Sequence, residues 1–262
     1  MKYLSYLLLL MMFQFSCDKQ SAGPTNPNII DDPLDCMEAA MNKGFIEKKD
    51  NGRIMLYGGN GPTERDFDIT KGLLSPCQFH YGLGRESFDA LIRPEYITVE
   101  EASALYPDDE RFLVATAGGK VAKAYSISLL TRHEVVNDVI NGRPIMAAYC
   151  VLADLGAIYS RNYCDKTFTF GLSGYTYSDP DVWDGTDAFV FWDRETESLW
   201  WPLIDKAVSG DMLGTPLKKY SGIWFETTFD VLRDRYPYAQ VLAPGQSLDP
   251  PKSWRHYDHP CK

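Results

Sequence analysis

The sequence contains only one long apolar run, and this limits how the chain can meet a membrane. Tyr3–Phe15 is almost wholly apolar, but its thirteen residues fall short of the roughly 20 that a membrane-spanning helix needs. Lys2 precedes the run and Ser16-Cys17 closes it, which is typical of an export signal. We therefore predict a lipoprotein signal over residues 1–17 with Cys17 as the lipid-modified residue; ordinary secretory cleavage is the alternative.

The sequence also lacks basic clusters and the common signatures of nucleotide and zinc sites. The net charge is −10 and no cluster of Lys or Arg is present, which argues against binding to nucleic acid or to anionic lipid. The chain has four histidines but no His-x-x-x-His, no paired Cys-x-x-Cys and no Gly-rich phosphate loop. The expected partners are a membrane, through the lipid anchor, and an unknown protein or small molecule.

The segment after the signal predicts a tethered protein. Residues 18–33 are rich in Pro, Asn and other polar residues, which is typical of a disordered spacer. We expect an N-terminal extension at 34–87, with a short helix at Asp35–Asn42, and one globular domain at 88–262. The predicted location is the cell envelope of a bacterium, on the periplasmic or surface side of the membrane.

The hydrophobic pattern predicts an α+β domain. We expect mostly antiparallel sheet, as a curved sheet or a barrel, with a few flanking helices. Thr98 and Glu101 form a capping box that begins a helix at Val99. The other predicted elements are a hairpin over 112–125, a helix at Ser128–Ile140, two buried strands within Pro144–Ile158, strands at 167–177, 188–192 and 199–203, and a helix at Thr227–Arg235.

Four motifs of polar and reactive residues interrupt this pattern, and their order and spacing carry a family resemblance. They are His133–Asp138, Ala148–Cys150, Phe168–Gly174 and Asp193–Trp200. From about Phe88 to its C-terminus the chain resembles the domain-of-unknown-function 3179 family. That family has exported or lipoprotein members and no established activity, so the resemblance leaves the reaction open.

Cys150 is the first candidate for chemistry. In the family this position commonly starts a Cys-Pro-x-Cys pattern, and some members carry selenocysteine there, which implies thiol redox or soft-metal chemistry. In this chain Val151-Leu152-Ala153 follows, so Ala153 stands where the second sulfur would be. The alternative is a buried cysteine that acts as a small hydrophobe in a strand.

His133 is the second candidate, together with the polar residues that follow it. On the predicted helix His133 and Asn137 share one face, and Glu134 and Asp138 share the adjacent one. A histidine held by Asn137 near Cys150 predicts an activated thiolate, or a copper or zinc site with Cys150 and His133 as ligands. The alternative is a histidine that caps a neighbouring strand.

The last two motifs supply candidate pocket or structural residues. Ser173 lies in Gly-Leu-Ser-Gly, which partly matches a hydrolase elbow, although a β-bulge is the stronger expectation in a β-rich segment. Asp193-Arg194 and Ser198–Trp200 bracket a tight hairpin turn. We expect Arg194 to bind Asp138 or Glu134 and so fix the His133 helix against the sheet.

The cysteine count adds a constraint. If Cys17 carries lipid, five cysteines remain, and an odd number leaves one thiol unpaired in an oxidising compartment. We expect Cys150 to be the unpaired one. The disulfide candidates are Cys36, Cys77, Cys164 and Cys261.

Three functions remain open from the sequence. The first is thiol redox or soft-metal binding at Cys150 and His133. The second is a non-catalytic surface module that binds a glycan or a protein through its six tryptophans and many tyrosines, although such residues also fill sheet cores. The third is a cysteine-dependent hydrolase that uses the Cys150/His133 pair.

Overall fold

The computed structural model describes Met41 and residues 44–59, 66–185 and 187–246. The predicted signal, the tether, Cys36, Cys261 and nearly all of the predicted Asp35–Asn42 helix lie outside the described residues. Within them the protein is α+β and mostly antiparallel sheet, as predicted. No helix among the described residues is long and apolar enough to cross a bilayer.

The described strands form five open sheets, so the prediction of mostly antiparallel sheet holds and that of a closed barrel does not. One five-stranded sheet has, in spatial order, β16 (Lys206–Ala207), β15 (Leu199–Trp201), β14 (Ala188–Asp193), β13 (Phe170–Tyr177) and β4 (Phe79–Tyr81). The other has β17 (Ile223–Thr228), β6 (Arg111–Thr116), β7 (Ala122–Ser126), β18 (Gln240–Leu242) and β5 (Tyr96–Thr98), with β18 parallel to β7.

Three smaller sheets complete the set. A meander joins β8 (Val135–Ile140), β9 (Arg143–Cys150) and β10 (Leu155–Ser160). The N-terminal extension contributes β1 (Ile46–Lys48), β2 (Ile54–Leu56) and β3 (Phe67–Asp68), and a small ribbon pairs β11 (Asn162–Tyr163) with β12 (Lys166–Thr167).

Three short α-helices lie among the described residues: α1 (Val99–Ala102), α2 (Ile127–His133) and α3 (Phe229–Arg235). The capping box predicted for α1 is present, because the Thr98 hydroxyl accepts from the Glu101 N–H and the Glu101 carboxylate accepts from the Thr98 N–H. Helix α3 lies within the predicted Thr227–Arg235 segment, and β6 and β7 form the predicted hairpin.

The predicted helix over Ser128–Ile140 is wrong in its second half. Helix α2 ends at His133, Glu134 takes a left-handed conformation with φ of 53°, and the chain continues as strand β8. Asn141-Gly142 does not end a helix but makes the two-residue turn between β8 and β9, with positive φ at both positions. Val135, Val136 and Val139 are β-branched, and such side chains favour an extended backbone.

The N-terminal extension predicted at 34–87 packs onto the rest of the described chain. Strand β4 pairs with β13, and Phe67 lies edge-on to Trp192 with ring centroids 5.8 Å apart. The Arg85 guanidinium lies 3.7 Å from the centre of the Phe67 ring and 4.2 Å from that of Trp192. Burial of these large rings ties the two parts into one core.

Candidate functional site

Cys150 is the last residue of β9, at the turn into β10. It is 1% exposed, and among the described cysteines it alone has a free thiol. Cys77 and Cys164 are disulfide-bonded. The expectation that Cys150 is the unpaired thiol therefore agrees with the described part of the chain, as does the disulfide role of Cys77 and Cys164.

A pocket of about 330 Å³ has Cys150 in its wall. Five chain segments build it: the turn at 82–88, the end of α2, the β9–β10 turn, and strands β13 and β14. The lining is mostly apolar, and Glu134 is the charged residue among the described residues that line it. A concave, largely apolar cavity with few convergent polar groups is the usual form of a small-molecule site.

Backbone N–H groups surround the Cys150 sulfur. The Phe189 N–H donates to Sγ across an N–S distance of 3.4 Å, and the N–H groups of Ala153 and Leu152 also bond to it. Burial raises the pKa of the thiol, the Glu134 charge adds to this rise, and the three N–H groups partly offset it. At rest Cys150 is thus a protonated thiol whose sulfur is already placed among donors that favour a thiolate.

Glu134 is the second titratable group in the pocket wall. Its left-handed backbone turns the chain from α2 into β8, and its N–H bonds the Leu130 carbonyl at 2.6 Å. Burial raises the pKa of its carboxyl from 4.5 to about 7. A carboxyl with this pKa exchanges a proton near neutral pH, which is the property that a general base needs.

His133 does not take the position that the sequence predicted for it. Its Nδ1 lies 2.9 Å from the Asp89 carbonyl, to which the ring N–H donates, and His133 is not among the residues that line the pocket. Since the helix ends at His133 and Asn137 lies in β8, the two residues do not share a helix face. Glu134, which the sequence placed on the adjacent face, is the residue that reaches the pocket with Cys150.

Asn137 is buried and connects two sheets. Its Oδ1 accepts from the Phe170 N–H at 2.8 Å and its Nδ2 donates to the Phe170 carbonyl at 2.7 Å, as a neighbouring strand would. Oδ1 also accepts from Arg161 at 3.3 Å. Burial lowers the pKa of the Arg161 guanidinium to about 10. The side chain of Asn137 therefore holds β8 to β13 and does not orient a histidine.

Asp138 is buried in a separate polar cluster. Its carboxylate accepts from Lys123 Nζ at 2.7 Å, from the Tyr125 hydroxyl at 2.6 Å and from the Tyr96 hydroxyl. The Lys123 ammonium also lies 4.0 Å from the centre of the Tyr96 ring. Burial raises the pKa of both tyrosines, and the Asp138 charge adds to the rise. Because these three donors lie on β7 and β5, the Asp138 carboxylate joins β8 to both strands.

Ser173 lies in the predicted β-bulge of β13 and does not form a nucleophile elbow. The register against β14 shifts between Leu172 and Tyr175, and the buried Ser173 hydroxyl donates to the Val190 carbonyl. Gly174 has a φ of +84°, and a Cβ there would lie 2.0 Å from the Leu83 carbonyl oxygen. The glycine allows the 82–88 turn to approach the sheet and form one wall of the pocket.

Asp193, Ser198 and Trp200 form a buried network around the turn between β14 and β15. The Asp193 carboxyl accepts from Trp200 Nε1 at 2.8 Å and from the Thr196 N–H at 2.7 Å, and the Thr196 and Ser198 hydroxyls lie 2.8 Å apart. Burial raises the pKa of Asp193 to about 7. Since none of the three lines the Cys150 pocket, this network fixes the hairpin.

Arg194 has a partner that the sequence did not predict. It binds neither Asp138 nor Glu134 but forms a two-point ion pair with Glu86, with Nε 2.7 Å from Oε1 and NH2 bonded to Oε2. Burial raises the pKa of Glu86, and Arg194 opposes the rise. Glu86 has a φ of 55° in the turn at 82–88, where no periodic pattern pointed to it.

The donor set of the pocket does not fit copper or zinc. Of its described lining residues only Cys150 and Glu134 offer metal-binding atoms of the expected kind, whereas structural zinc sites use four protein ligands and catalytic ones three. No group of three or more His, Cys, Asp or Glu with metal-binding geometry occurs among the described residues. The predicted Cys150/His133 metal site therefore has no support in the side-chain arrangement.

The aromatic residues mostly fill the interior. Trp192, Trp200 and Trp201 are all 0% exposed, and the rings of β13 and β14 pack edge to face with their neighbours. Among the described aromatic side chains, Phe88 and Tyr238 are the large exposed ones, at 38% and 36%. An exposed aromatic row, as a glycan-binding surface needs, is not found in the described residues.

A protein-family model shows to which family the chain is related. The family described as a protein of unknown function, DUF3179, matches residues 85–261, which is more than half of the 262-residue chain. No curated protein and no solved structure shows significant similarity to the chain. The match begins at Arg85 beside the Cys150 pocket and covers Glu86, Glu134 and both halves of the Arg194 hairpin. The chain belongs to the DUF3179 family.

Proposed function

We propose that the protein is an exported lipoprotein whose pocket carries a single-thiol redox centre, with Cys150 as the nucleophile and Glu134 as the acceptor of its proton. One observation carries the proposal: a free thiol, three N–H donors and a partly buried carboxyl meet at the same apolar pocket. Titratable groups with shifted pKa values in a cleft are typical of functional sites.

The oxidising step uses an organic hydroperoxide. Glu134, with a pKa of about 7, takes the thiol proton, and the Cys150 sulfur attacks one peroxide oxygen. The S–O bond forms as the O–O bond breaks, and the leaving alkoxide takes the proton held by Glu134. The products are a Cys150 sulfenic acid and an alcohol, so sulfur loses two electrons and the peroxide gains them. The N–H groups of Phe189, Ala153 and Leu152 stabilise the charge that develops on sulfur.

The proposed reducing step uses a thiol from outside the chain, because the described part of the chain holds no free thiol besides Cys150. Ala153 stands where the family pattern has its second sulfur, and Cys77 and Cys164 are disulfide-bonded. An external thiol therefore attacks the sulfenic sulfur, releases water and leaves a mixed disulfide on Cys150. A second external thiol then restores Cys150 and leaves with the first as a disulfide.

The sequence and the disulfides support the proposed location. Disulfides at Cys77 and Cys164 suit an oxidising compartment outside the cytosol. If Cys17 carries the lipid, Cys17→Ser should move the protein from the membrane fraction to the soluble fraction. An unchanged distribution of this variant would contradict the lipid anchor.

The redox proposal is tested by trapping the sulfenic acid. After exposure to butyl hydroperoxide, dimedone should label Cys150 in the wild type and should label nothing in Cys150→Ser. Glu134→Gln should slow labelling by about tenfold or more, because it removes the general base. His133→Ala is the matched control and should keep the wild-type rate within about twofold. Absence of label, or an unchanged rate in Glu134→Gln, would refute the proposal.

A further inference from the structure

The Cys150 pocket changes from buried at its floor to exposed at its mouth. At the floor Cys150, Tyr175 and Phe189 are 1%, 2% and 5% exposed. At the mouth Leu83 and Leu152 are 48% and 56% exposed, and Phe88 and Val151 also lie at the rim. The wall is therefore mostly apolar from floor to mouth, and its exposed end is an apolar patch.

The charges of the pocket restrict the head group of a ligand. None of the described lining residues is Lys, Arg or His, so no cation is present to bind a carboxylate or phosphate. Glu134 is an acid, and the three hydroxyls of the lining are engaged. Tyr175 donates to the Tyr57 carbonyl at 2.6 Å, Thr131 to the Ser128 carbonyl at 2.8 Å and Thr176 to Asp187 at 2.6 Å. A negatively charged head would meet Glu134 without a counter-ion, whereas a neutral head with an O–H can donate to its carboxylate.

We propose that the pocket selects straight-chain alkyl substrates with an uncharged protic head, the substrate of the proposed reaction being an alkyl hydroperoxide. The head lies at the floor beside Cys150 and Glu134, and the chain runs outward past Leu172 to Leu83 and Phe88 at the mouth. The pocket volume of about 330 Å³ lies at the lower end of the range for small-molecule sites, which suits a single chain better than a bulky ring system. This inference rests on the proposed function for the reaction but not for binding.

The first experiment measures binding without the reaction. Calorimetric titration of the Cys150→Ala variant with 1-octanol and with octanoate at pH 8 separates the neutral head from the charged one. Octanol should bind at least tenfold more tightly than octanoate. Equal binding of the two, or no binding of octanol, would overturn the inference.

The second experiment compares oxidation rates of Cys150 with butyl and octyl hydroperoxide. Removal of one methylene from water contributes about fourfold to affinity, so the octyl substrate should react at least tenfold faster at low concentration. Leu83→Ser at the mouth should abolish most of this difference between the octyl and butyl rates. Ile223→Ser is the matched control, since Ile223 is 71% exposed on β17 and does not line the pocket.

The outcomes separate this inference from the proposed function. If octanol binds Cys150→Ala but neither hydroperoxide oxidises Cys150, the redox function fails while the ligand class is supported. If both hydroperoxides oxidise Cys150 at the same rate and octanol does not bind, the redox function stands and the ligand class is overturned. A chain-length preference that persists unchanged in Leu83→Ser would also overturn it, because the mouth would then not contact the chain.

Discussion

Replacement of Glu134 by glutamine is expected to change how the free energy of unfolding depends on pH. Burial raises the pKa of Glu134 from 4.5 to about 7, so the folded protein holds this proton more tightly than the unfolded chain. Between about pH 4.5 and 7 unfolding releases the proton, and the free energy of unfolding falls as pH rises through this window. The shift of the Glu134 pKa from 4.5 to about 7 corresponds to a total loss of about 3 kcal/mol in the free energy of unfolding.

Asp193 also makes the free energy of unfolding fall as pH rises, and it does so in both proteins. Burial raises its pKa from 3.8 to about 7, and it remains in the Glu134→Gln variant. Wild type should therefore lose more stability between pH 5 and pH 8 than the variant, and the difference between them should be on the order of 2–3 kcal/mol. Glutamine keeps the shape of the side chain without the charge, so at pH 8 the variant should be the more stable protein.

The assay is urea denaturation at pH 5 and pH 8 with the disulfides intact. Glu100→Gln is the matched control, because Glu100 is exposed on α1 and does not line the pocket. An equal loss of stability in wild type and Glu134→Gln would refute the reasoning, since Glu134 would then have the same pKa in the folded and unfolded states.

Three substitutions test the frame of the site. Gly174→Ala places a Cβ 2.0 Å from a carbonyl oxygen at a φ of +84°, so it should lower the free energy of unfolding by about 3 kcal/mol or more. Gly142→Ala also has a positive φ but has open space around it, and it should cost about 1 kcal/mol. Equal losses of stability in thermal melts of the two variants would contradict the close approach at Gly174. Arg194→Met leaves the Glu86 carboxylate buried without its cation and should lower the free energy of unfolding by about 3–5 kcal/mol. The double variant Arg194→Met/Glu86→Gln should recover most of this stability. If urea unfolding shows no recovery, the lost ion pair is not the cause of the destabilisation. Asn137→Ala removes the side-chain hydrogen bonds between β8 and β13 and should lower the free energy of unfolding by about 3 kcal/mol. A loss under about 1 kcal/mol in urea unfolding would show that other groups replace these hydrogen bonds.

Local chemistry made several elements predictable from the sequence. The capping box at Thr98 and Glu101, the hairpin over 112–125 and the bulge at Ser173-Gly174 all depend on interactions within a few residues. The burial of Cys150 was predicted from its apolar segment, and its free state from the five cysteines that remain if Cys17 carries lipid. Such features need no knowledge of the distant chain.

The errors came from contacts between distant segments. Apolar residues at helical spacing predicted a helix over Ser128–Ile140, but pairing with β9 and burial of the valines favour a strand after His133. That change of backbone places Glu134 in the wall of the Cys150 pocket, and it leaves Asn137 between two sheets. Glu86 pairs with Arg194 across 108 positions of sequence, a distance that no local pattern reports.

The most direct test of the central claim is the rate of Cys150 alkylation by iodoacetamide as a function of pH. Cys150, Glu134 and Tyr175 are the titratable side chains of the described pocket lining, and burial raises the pKa of Tyr175 far above the range of the experiment. If Glu134 accepts the thiol proton, the wild-type rate should rise with an inflection near pH 7. Glu134→Gln should lose this inflection and react appreciably only as the free thiol ionises, at or above its ordinary pKa of about 8.5. An inflection near pH 7 that persists in Glu134→Gln, or a wild-type profile with a single rise near or above pH 8.5, would contradict the account.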